Sequence, residues 1–479
     1  MSRGTVGLCF GVLIIAGLAI MWMPPSGGAF WLTILWAAWI LAVAWALTRP
    51  SFSLLFAEIM AVMLLFVILP ATAAQLSGMT TIATEDYSGG VVKALQIAAL
   101  AQCAMLAGAV AVRAVWPFPP FVRTFPELSA TRISRAAWRS VWVGVLAVVG
   151  LSALGGASLS SFFVFTTSSG YGTFARETTG YLGYLVALQG FAGLALVLLP
   201  LRLSCGGYRR WPVLLCSVLA TVVLLGGGQR DRFFTVGLAA TLVWLKTSKR
   251  SLPPRRLAVA GVLVLITIGG LIGVARGAAG TRHVNVGSVV TASVGANNLF
   301  LPMAGLATIV PAQEPYLHGT SYLETGAFFV PRRLWSSKPE GSISRYTSDF
   351  DPGNSGLAFP EFGEMYANFG LPGVVIGSLL LGALIELLSR QFARSTSMRE
   401  CVFIAICGAV LLDVFARGDI APMLVSFAGL LLAAGLACRR RSPVLAAAGP
   451  PEVLSVRPGQ ARPPAPGSVS LALNGGREA

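Results

Sequence analysis

The sequence predicts an all-α polytopic membrane protein with about twelve transmembrane helices and one large extracytoplasmic loop. Hydrophobic residues make up 55% of the 479 residues and charged residues only 11%, whereas roughly a quarter of an average soluble protein is charged. Many apolar runs approach the length of about 20 residues that crosses a hydrocarbon core about 30 Å thick. Arg and Lys residues collect between these runs on alternate sides. These observations nearly exclude a soluble globular protein.

The apolar runs define the candidate spans. In chain order they are residues 6–21, 30–47, 52–74, 94–112, 137–154, 181–201, 211–225, 233–245, 257–274, 370–388, 401–415 and 421–437. The first run follows Arg3 and resembles a signal peptide in length, but no small-x-small cleavage site stands clearly before Pro24. We therefore expect it to remain as an uncleaved helix.

The distribution of basic residues predicts which loops face the cytoplasm. Short cytoplasmic loops collect Lys and Arg, and an alternation with both termini inside places the basic clusters on the inner side. These clusters contain Arg3, Arg49, Arg113, Arg123, Arg132, Arg135, Arg139, Arg202, Arg209, Arg210, Lys246, Lys249, Arg250, Arg255, Arg256, Arg390, Arg394, Arg399, Arg439, Arg440 and Arg441. An even number of spans is needed for both termini to lie on the cytoplasmic side.

The predicted organisation has four parts. They are the first nine spans in 1–274, the large extracytoplasmic loop in 275–369, the last three spans in 370–438, and a cytoplasmic tail in 439–479. The tail is expected to be disordered, because its mixture of Ala, Pro and Gly with isolated charges cannot bury enough apolar area to fold.

One segment at the start of the loop, 286–310, is fairly apolar but does not read as a span. Asn297, Asn298, Pro302 and several glycines interrupt it. If it crossed the membrane, the basic loops that follow would face outward. We therefore interpret it as an interfacial or re-entrant segment.

The net charge of +16 does not indicate a nucleic-acid partner, because the basic residues fall in clusters between apolar runs rather than along one polar face. The cysteines form no C-x-x-C pair, and no metal-binding spacing or nucleotide-binding glycine loop occurs. The sequence thus predicts no cofactor and no metal. The sequence does predict contact with membrane lipids.

Several basic residues lie on the predicted outer side, where orientation does not explain them. The planar guanidinium of Arg can hold phosphate oxygens at two points. The candidates for binding phosphate oxygens are Arg230, Arg232, Arg332, Arg333, Lys338 and Arg345. The first two follow a glycine run between two short spans, which should hold them below the membrane surface. Ordinary surface charge and local bilayer thinning are the alternative explanations.

Acidic residues cluster towards the end of the large loop. A group-transfer reaction onto a hydroxyl needs a group that takes the hydroxyl proton, and carboxylates or imidazoles can do so. The candidates are Glu361, Glu364 and Asp349, with Asp351, His283 and His318 as further choices. Each acid taken alone is more often a solvated surface charge.

Three stretches together resemble the bacterial oligosaccharide repeat unit polymerases, the O-antigen polymerase (Wzy) group. Residues 227–233, Gly-Gly-Gln-Arg-Asp-Arg-Phe, are similar to that family's Gly-x-Arg-x-x turn opening a span. Residues 330–339, Val-Pro-Arg-Arg-Leu-Trp-Ser-Ser-Lys-Pro, resemble the Pro-Arg-x-x-Trp-x-x-Lys-Pro of its outer loop. Residues 361–373, Glu-Phe-Gly-Glu-Met-Tyr-Ala-Asn-Phe-Gly-Leu-Pro-Gly, resemble the segment leading from that loop into the next helix.

The resemblance implies an enzyme of the bacterial cytoplasmic membrane that acts on undecaprenyl-diphosphate-linked oligosaccharide. It would transfer the growing chain onto a new repeat unit. A flippase and a chain-length regulator would be its candidate partner proteins. Outer arginines would neutralise the leaving diphosphate. The alternatives are a ligase that moves finished glycan from the same lipid, and a non-enzymatic transporter or flippase of lipid-linked glycans.

The predicted sidedness can be tested with reporter fusions. Alkaline phosphatase fused after Ser336 should be active, because that position lies in the predicted outer loop, and a fusion after Arg441 should be inactive. The opposite pair of results would reverse the assignment of sides.

Overall fold

The computed structural model describes residues 27–47, 54–82, 85–116, 119, 122, 130–155, 182–205, 210–225, 230–248, 298–328, 330, 334–335, 358–418 and 420–438. The α-helices are α1 (Gly28–Leu47), α2 (Leu54–Met63), α3 (Leu69–Ser77), α4 (Val91–Val115), α5 (Ala130–Gly155), α6 (Leu182–Gln189), α7 (Phe191–Ser204), α8 (Arg210–Leu225), α9 (Arg230–Thr247), α10 (Phe300–Ile309), α11 (Thr320–Phe328), α12 (Glu361–Arg394), α13 (Met398–Arg417) and α14 (Ile420–Cys438).

Short elements complete the described part. A π-helical stretch, Leu64–Ile68, joins α2 to α3, and a 3₁₀ turn, Ser88–Gly90, leads into α4. Between them, β1 (Thr81–Ile82) and β2 (Glu85–Asp86) form a small antiparallel pair. Hydrogen bonds from the Thr80 and Ser88 side chains hold the pKa of the exposed Asp86 carboxyl below its usual value.

Six helical stretches of the described residues are long and apolar enough to cross a membrane, which suits a helical membrane protein. They are Gly28–Trp45, Leu55–Ser77, Ser88–Val115, Ala130–Leu154, Ala187–Ser204 and Glu361–Arg394. Shorter apolar stretches lie in α8, α9, α10 and α14. The predicted spans 6–21 and 257–274 lie outside the described residues, so the number twelve stays a prediction.

Helices α4 and α12 pack side by side and run in the same direction. At their N-terminal ends, the ammonium of Lys93 lies over the ring of Tyr366, 5.9 Å from its centroid. Towards their C-terminal ends, Arg113 forms a buried ion pair with Glu386, 3.1 Å between Nε and Oε1. These two contacts, at opposite ends of the helices, show that α4 and α12 are parallel.

Helices α9 and α13 extend this arrangement. Lys246, near the end of α9, donates to the carbonyl oxygens of Phe392 and Ala393 in the last turn of α12, at 2.6 and 2.8 Å. A cation there satisfies carbonyls that the helix leaves without partners. At the other end, the rings of Phe362 and Phe415 lie 6.0 Å apart, so α13 runs antiparallel to α12. These relative directions agree with the predicted alternation.

The long helix α12 is interrupted at Gly370, where φ is 66° and ψ is −155°. Its 34 residues would reach about 51 Å at about 1.5 Å per residue, more than a hydrocarbon core of about 30 Å needs. A positive φ favours glycine, and Pro372 follows two residues later. The break divides α12 into an N-terminal segment, Glu361–Phe369, and a longer segment that starts where the sequence predicts the span to start. We call the first the outer segment, because the sequence predicts that this end faces outside.

The interrupted apolar segment is helical only from Phe300 to Ile309 among the described residues of that region. Ten residues reach about 15 Å, which is too short to cross the membrane. Its helix α10 is buried against α4 and the 3₁₀ turn before it. The preceding amide of Leu299 donates to the carbonyl of Phe66 in the π-helical stretch, at 3.1 Å. The first part of the segment, 286–297, lies outside the described residues, so its interfacial or re-entrant character stays a prediction.

Two glycines allow the close approach of α4 and α12. A Cβ atom at Gly108 would overlap the carbonyl oxygen of Leu379, and one at Gly382 would overlap the carbonyl oxygen of Met105. Small residues at such crossings let helix backbones come together within a membrane. The contact therefore depends on the absence of a side chain at both positions.

Replacing either glycine by alanine should destabilise the protein. In Gly108→Ala or Gly382→Ala, the new Cβ atom would overlap a backbone carbonyl of the neighbouring helix. Such overpacking costs about 1–3 kcal/mol of stability. Thermal unfolding of the purified protein in detergent should show a lowered midpoint. Gly435→Ala is the matched control, because a Cβ at Gly435 meets nothing within 4 Å. An unchanged midpoint in both α4 and α12 variants would contradict the close contact.

Candidate functional site

The candidate site lies where the outer segment of α12, Glu361–Phe369, meets α11 and the segment 310–320 that leads into α11. The sequence predicts that this end faces outside. Two of the three predicted catalytic carboxylates, Glu361 and Glu364, lie one helical turn apart here, and their side chains are 4% and 1% exposed. The structure thus places this acid pair in the interior, not on the solvated surface.

Glu364 belongs to a hydrogen-bond network that joins α11 to α12. The hydroxyl of Ser321 donates to Glu364 Oε1 at 2.6 Å, and the side-chain amide of Asn368 donates to Ser321 Oγ at 2.7 Å. The same Nδ2 also donates to the backbone oxygen of Glu364 at 2.9 Å. Ser321 and Asn368 are themselves buried. These contacts fix the carboxylate of Glu364 between two elements.

Glu361 accepts a hydrogen bond from the hydroxyl of Tyr322, at 3.1 Å from Oε1. Burial, and then the nearby charges of Glu361 and Glu364, raise the pKa of the Tyr322 phenol above its ordinary value. The phenol therefore stays protonated at neutral pH and remains a donor. Glu361 is also the first residue of α12, where the helix dipole favours a negative charge.

Three consecutive backbone amides, of residues 317–319, hydrogen-bond the segment before α11 to α12, and we call this contact the clamp. The N–H groups of Leu317 and His318 donate to the carbonyl oxygens of Ala367 and Asn368, each at 2.9 Å. The N–H of Gly319 donates to Asn368 Oδ1 at 3.0 Å. The break in α12 leaves carbonyls next to Gly370 without intrahelical partners, so this segment supplies the missing donors.

Backbone conformation and aromatic contacts shape the outer face of the clamp. His318 has φ of 49° and Gly319 has φ of 89°, both in the left-handed region that few non-glycine residues adopt. The imidazole of His318 is exposed. Tyr322 stacks on Phe369 with 6.3 Å between ring centroids, and Phe369 is 48% exposed. An imidazole and an aromatic pair thus border the buried carboxylates.

Arg232 is a buried cation close to the start of α9. Its side chain is 1% exposed, and Nη1 donates to Gln189 Oε1 at 3.3 Å. The side-chain amide of Gln189 in turn donates to the backbone oxygen of Val223 in α8. Helix α9 begins at Arg230, so Arg232 lies within the helix and not in the predicted turn. The side chain is buried within the protein, and its depth relative to the membrane surface stays a prediction.

Arg232 and the carboxylates lie at the same end of the described bundle. Helix α9 packs on α13, and α13 reaches the N-terminal end of α12, where a Cβ at Gly418 would overlap the carbonyl oxygen of Phe359. Because α9 runs parallel to α12, its first turns lie beside the outer segment of α12. The end of the bundle that carries the acids thus also carries a buried arginine.

Lys93 is a cation at this end that the sequence analysis missed. Its Nζ donates to Gln96 Oε1 at 3.1 Å and lies over the Tyr366 ring. The phenol of Tyr366 donates to the carbonyl oxygen of Val310 at 3.0 Å. The available signal was its position just before the predicted span 94–112, on the outer side. Ser321, Tyr322 and Asn368 were missed as well, although Asn368 lies within the stretch 361–373.

The remaining predicted site residues cannot be placed. Asp349, Arg332, Arg333, Lys338 and Arg345 lie outside the described residues. Arg230 is described only as the first residue of α9.

No group of three or more His, Cys, Asp or Glu side chains with the arrangement of a metal site occurs among the described residues. Comparison with known protein families, curated proteins and solved structures returns no match. The resemblance to the repeat unit polymerases therefore rests on the three sequence stretches alone.

Asn368 should prove essential for the architecture of the site. In Asn368→Leu, the amide of Gly319 loses its acceptor and Ser321 loses a donor, and each unsatisfied buried group costs about 1–3 kcal/mol. We expect a lower midpoint of thermal unfolding and faster proteolysis between residues 310 and 320. The control is Thr241→Val, which removes an exposed hydroxyl contact to the Gly237 carbonyl. Unchanged proteolysis of Asn368→Leu would mean that the clamp does not depend on this side chain.

Proposed function

We propose that this protein polymerises undecaprenyl-diphosphate-linked oligosaccharide repeat units on the outer face of the bacterial cytoplasmic membrane. The growing chain moves from its lipid diphosphate to the acceptor repeat unit, and undecaprenyl diphosphate is released. The observation that carries the proposal is the buried acid pair Glu361 and Glu364, which lies in the stretch resembling the polymerase family and is held by hydroxyl donors. Isolated surface acids would not be organised in this way.

The two carboxylates have different surroundings, which suggests different roles. Glu364 is fixed by Ser321 in the network that joins α11 to α12, so it serves as a positioning residue. Glu361 lies at the end of the helix, where its carboxylate accepts a hydrogen bond from the Tyr322 phenol. We assign Glu361 as the general base that accepts the proton of the acceptor hydroxyl.

The bond changes follow from this assignment. As Glu361 takes the proton, the acceptor oxygen forms a bond to the anomeric carbon of the growing chain. The bond between that carbon and the diphosphate oxygen breaks, and the electron pair leaves with undecaprenyl diphosphate. Preorganised cations stabilise such developing negative charge by several kcal/mol.

Cations for the diphosphate come from two sources in this proposal. Arg232 is buried at the same end as the carboxylates, and an ionisable residue inside a helical membrane bundle is a functional candidate by default. Arg332, Arg333, Lys338 and Arg345 belong to the loop that the sequence places outside, and Arg230 precedes Arg232 by two residues. The guanidinium groups would each offer paired donors to phosphate oxygens.

A ligase would use the same chemistry with a different acceptor, and a flippase would move the lipid-linked unit without breaking a bond. Glycan profiling of a deletion strain distinguishes the three. A polymerase gives loss of the ladder of long chains while single repeats are still attached. Loss of all attachment would indicate the ligase, and lipid-linked units retained on the inner face would indicate the flippase.

The assignment of Glu361 as the base predicts an asymmetry between the two acids. Glu361→Gln should lower the turnover of purified protein on lipid-linked repeat units by about a hundredfold or more, the scale of lost general-base catalysis. Glu364→Gln keeps an oxygen that accepts from Ser321, so its turnover should fall much less.

Glu400→Gln is the matched control for this pair, because Glu400 is exposed in the first turn of α13, at the opposite end of the bundle. Equal activity of the Glu361 and Glu400 variants, at equal protein levels, would remove Glu361 from the mechanism.

A further inference from the structure

A second candidate site lies at the other end of the bundle, where α5 and α8 begin and α7 ends. A cavity of about 240 Å³ opens between these three helices. Its lining includes Ser134, Trp138, Leu198, Arg202, Val213 and Cys216. Most of the wall is apolar, and one arginine stands at its polar edge. Such a combination suits a ligand with an apolar body and a charged head.

The charged edge of the cavity is built by a contact between two helices. Arg202 in the last turn of α7 donates from Nε to Ser134 Oγ in the first turns of α5, at 2.7 Å. This bond orients the plane of the guanidinium relative to the cavity. The pair also shows that α5 and α7 are antiparallel at this end, which is the end where the alternation predicts the cytoplasm.

The charged residues on the three helices that line the cavity are all basic. None of α5, α7 and α8 contains an Asp or Glu residue. Besides Arg202, helix α5 carries the exposed residues Arg132, Arg135 and Arg139. With Arg210, the first residue of α8, the lining helices carry five arginines and no acid, which favours an anion. A zwitterionic head would bring its own cation against the same arginines.

The surface around the cavity has the properties of a lipid-facing interface. Trp211 at the start of α8 is 79% exposed, and Trp142 on α5 is 57% exposed. Tryptophan is enriched at the level of lipid headgroups. Further along α8, Leu214, Leu215 and Val218 are each about half exposed. The cavity thus opens onto the surface that acyl chains would cover.

We propose that this cavity binds an anionic phospholipid, with the phosphate at Arg202 and the adjoining part of one acyl chain among the apolar side chains. Basic pockets between transmembrane helices on the cytoplasmic side are a known mode of binding acidic lipid headgroups. A pocket that buries a drug-sized ligand measures about 300–1,000 Å³, so this smaller cavity takes part of the lipid and the exposed face of α8 takes the rest. The site is independent of the proposed polymerase activity.

The test is native mass spectrometry of the delipidated full chain, titrated separately with phosphatidylglycerol, phosphatidylcholine and a polyprenyl phosphate. Phosphatidylglycerol should bind more tightly than the other two. In Arg202→Gln its affinity should fall by about tenfold or more, the effect of one lost charge-assisted contact. Ala137→Phe, which fills the cavity from α5, should also lose the lipid while every arginine remains.

Arg394→Gln is the matched control, because Arg394 is exposed near the end of α12 and does not line the cavity. It should bind phosphatidylglycerol like the unchanged protein. Equal binding of phosphatidylglycerol and phosphatidylcholine, or a preference for polyprenyl phosphate, would overturn the proposal. Full phosphatidylglycerol binding by both Arg202→Gln and Ala137→Phe would overturn it as well.

Discussion

The break in α12 at Gly370 is the constraint on which the candidate site depends. A continuous helix of 34 residues would carry Glu361 and Glu364 well beyond the membrane as one rigid rod. The break instead turns the outer segment into a separate element and exposes carbonyls at its end. Those carbonyls need donors, because Ala367 and Asn368 are buried and an unsatisfied buried backbone group is costly. The segment 310–320 supplies them, and it brings α11 with its hydroxyl side chains onto the two acids.

Charged residues in the described bundle fall into two groups with different surroundings. At the end predicted to be cytoplasmic, Arg113 pairs with Glu386, and Lys246 caps the carbonyls of α12. These contacts pair a charge with an opposite charge or with helix dipoles, and they hold helices together. At the opposite end, Arg232 contacts a neutral amide of Gln189. Arg232 is thus held in the interior of the bundle by a side chain at the end of another helix, α6.

The coarse fold could be predicted from the sequence because apolar run length and the side on which basic residues fall are both local properties. Asn and Pro residues distinguish the run 286–310 from the candidate spans, and the part of it that the structure describes, 298–310, contains the short buried helix α10. The sequence predicts the start of a span at Gly370, and the structure shows a break in α12 at that residue, next to Pro372, as glycine and proline favour. The relative directions of the helices followed from the same alternation.

The site itself could be predicted only in part. Periodicity brings Glu361 and Glu364 to one face of a helix, but nothing local shows which residues will lie opposite them. Ser321 and Tyr322 lie about forty residues earlier in the chain, with sequence separations of 43 and 39 from their carboxylate partners. Lys93 comes from still farther away. Contacts across such distances depend on how the break in α12 is satisfied, which is a property of the folded chain.

The division of roles between the two acids follows from this geometry. A residue that closes a network between two elements cannot also move freely towards a substrate, because any shift of its carboxylate strains the hydrogen bonds that hold it. Glu364 is in that position through Ser321 and Asn368. Glu361 occupies the helix end, with one phenol that stays protonated at neutral pH. In the proposed mechanism, proton transfer to Glu361 would therefore occur without opening the clamp, and the clamp would keep the base in place between successive additions to the chain.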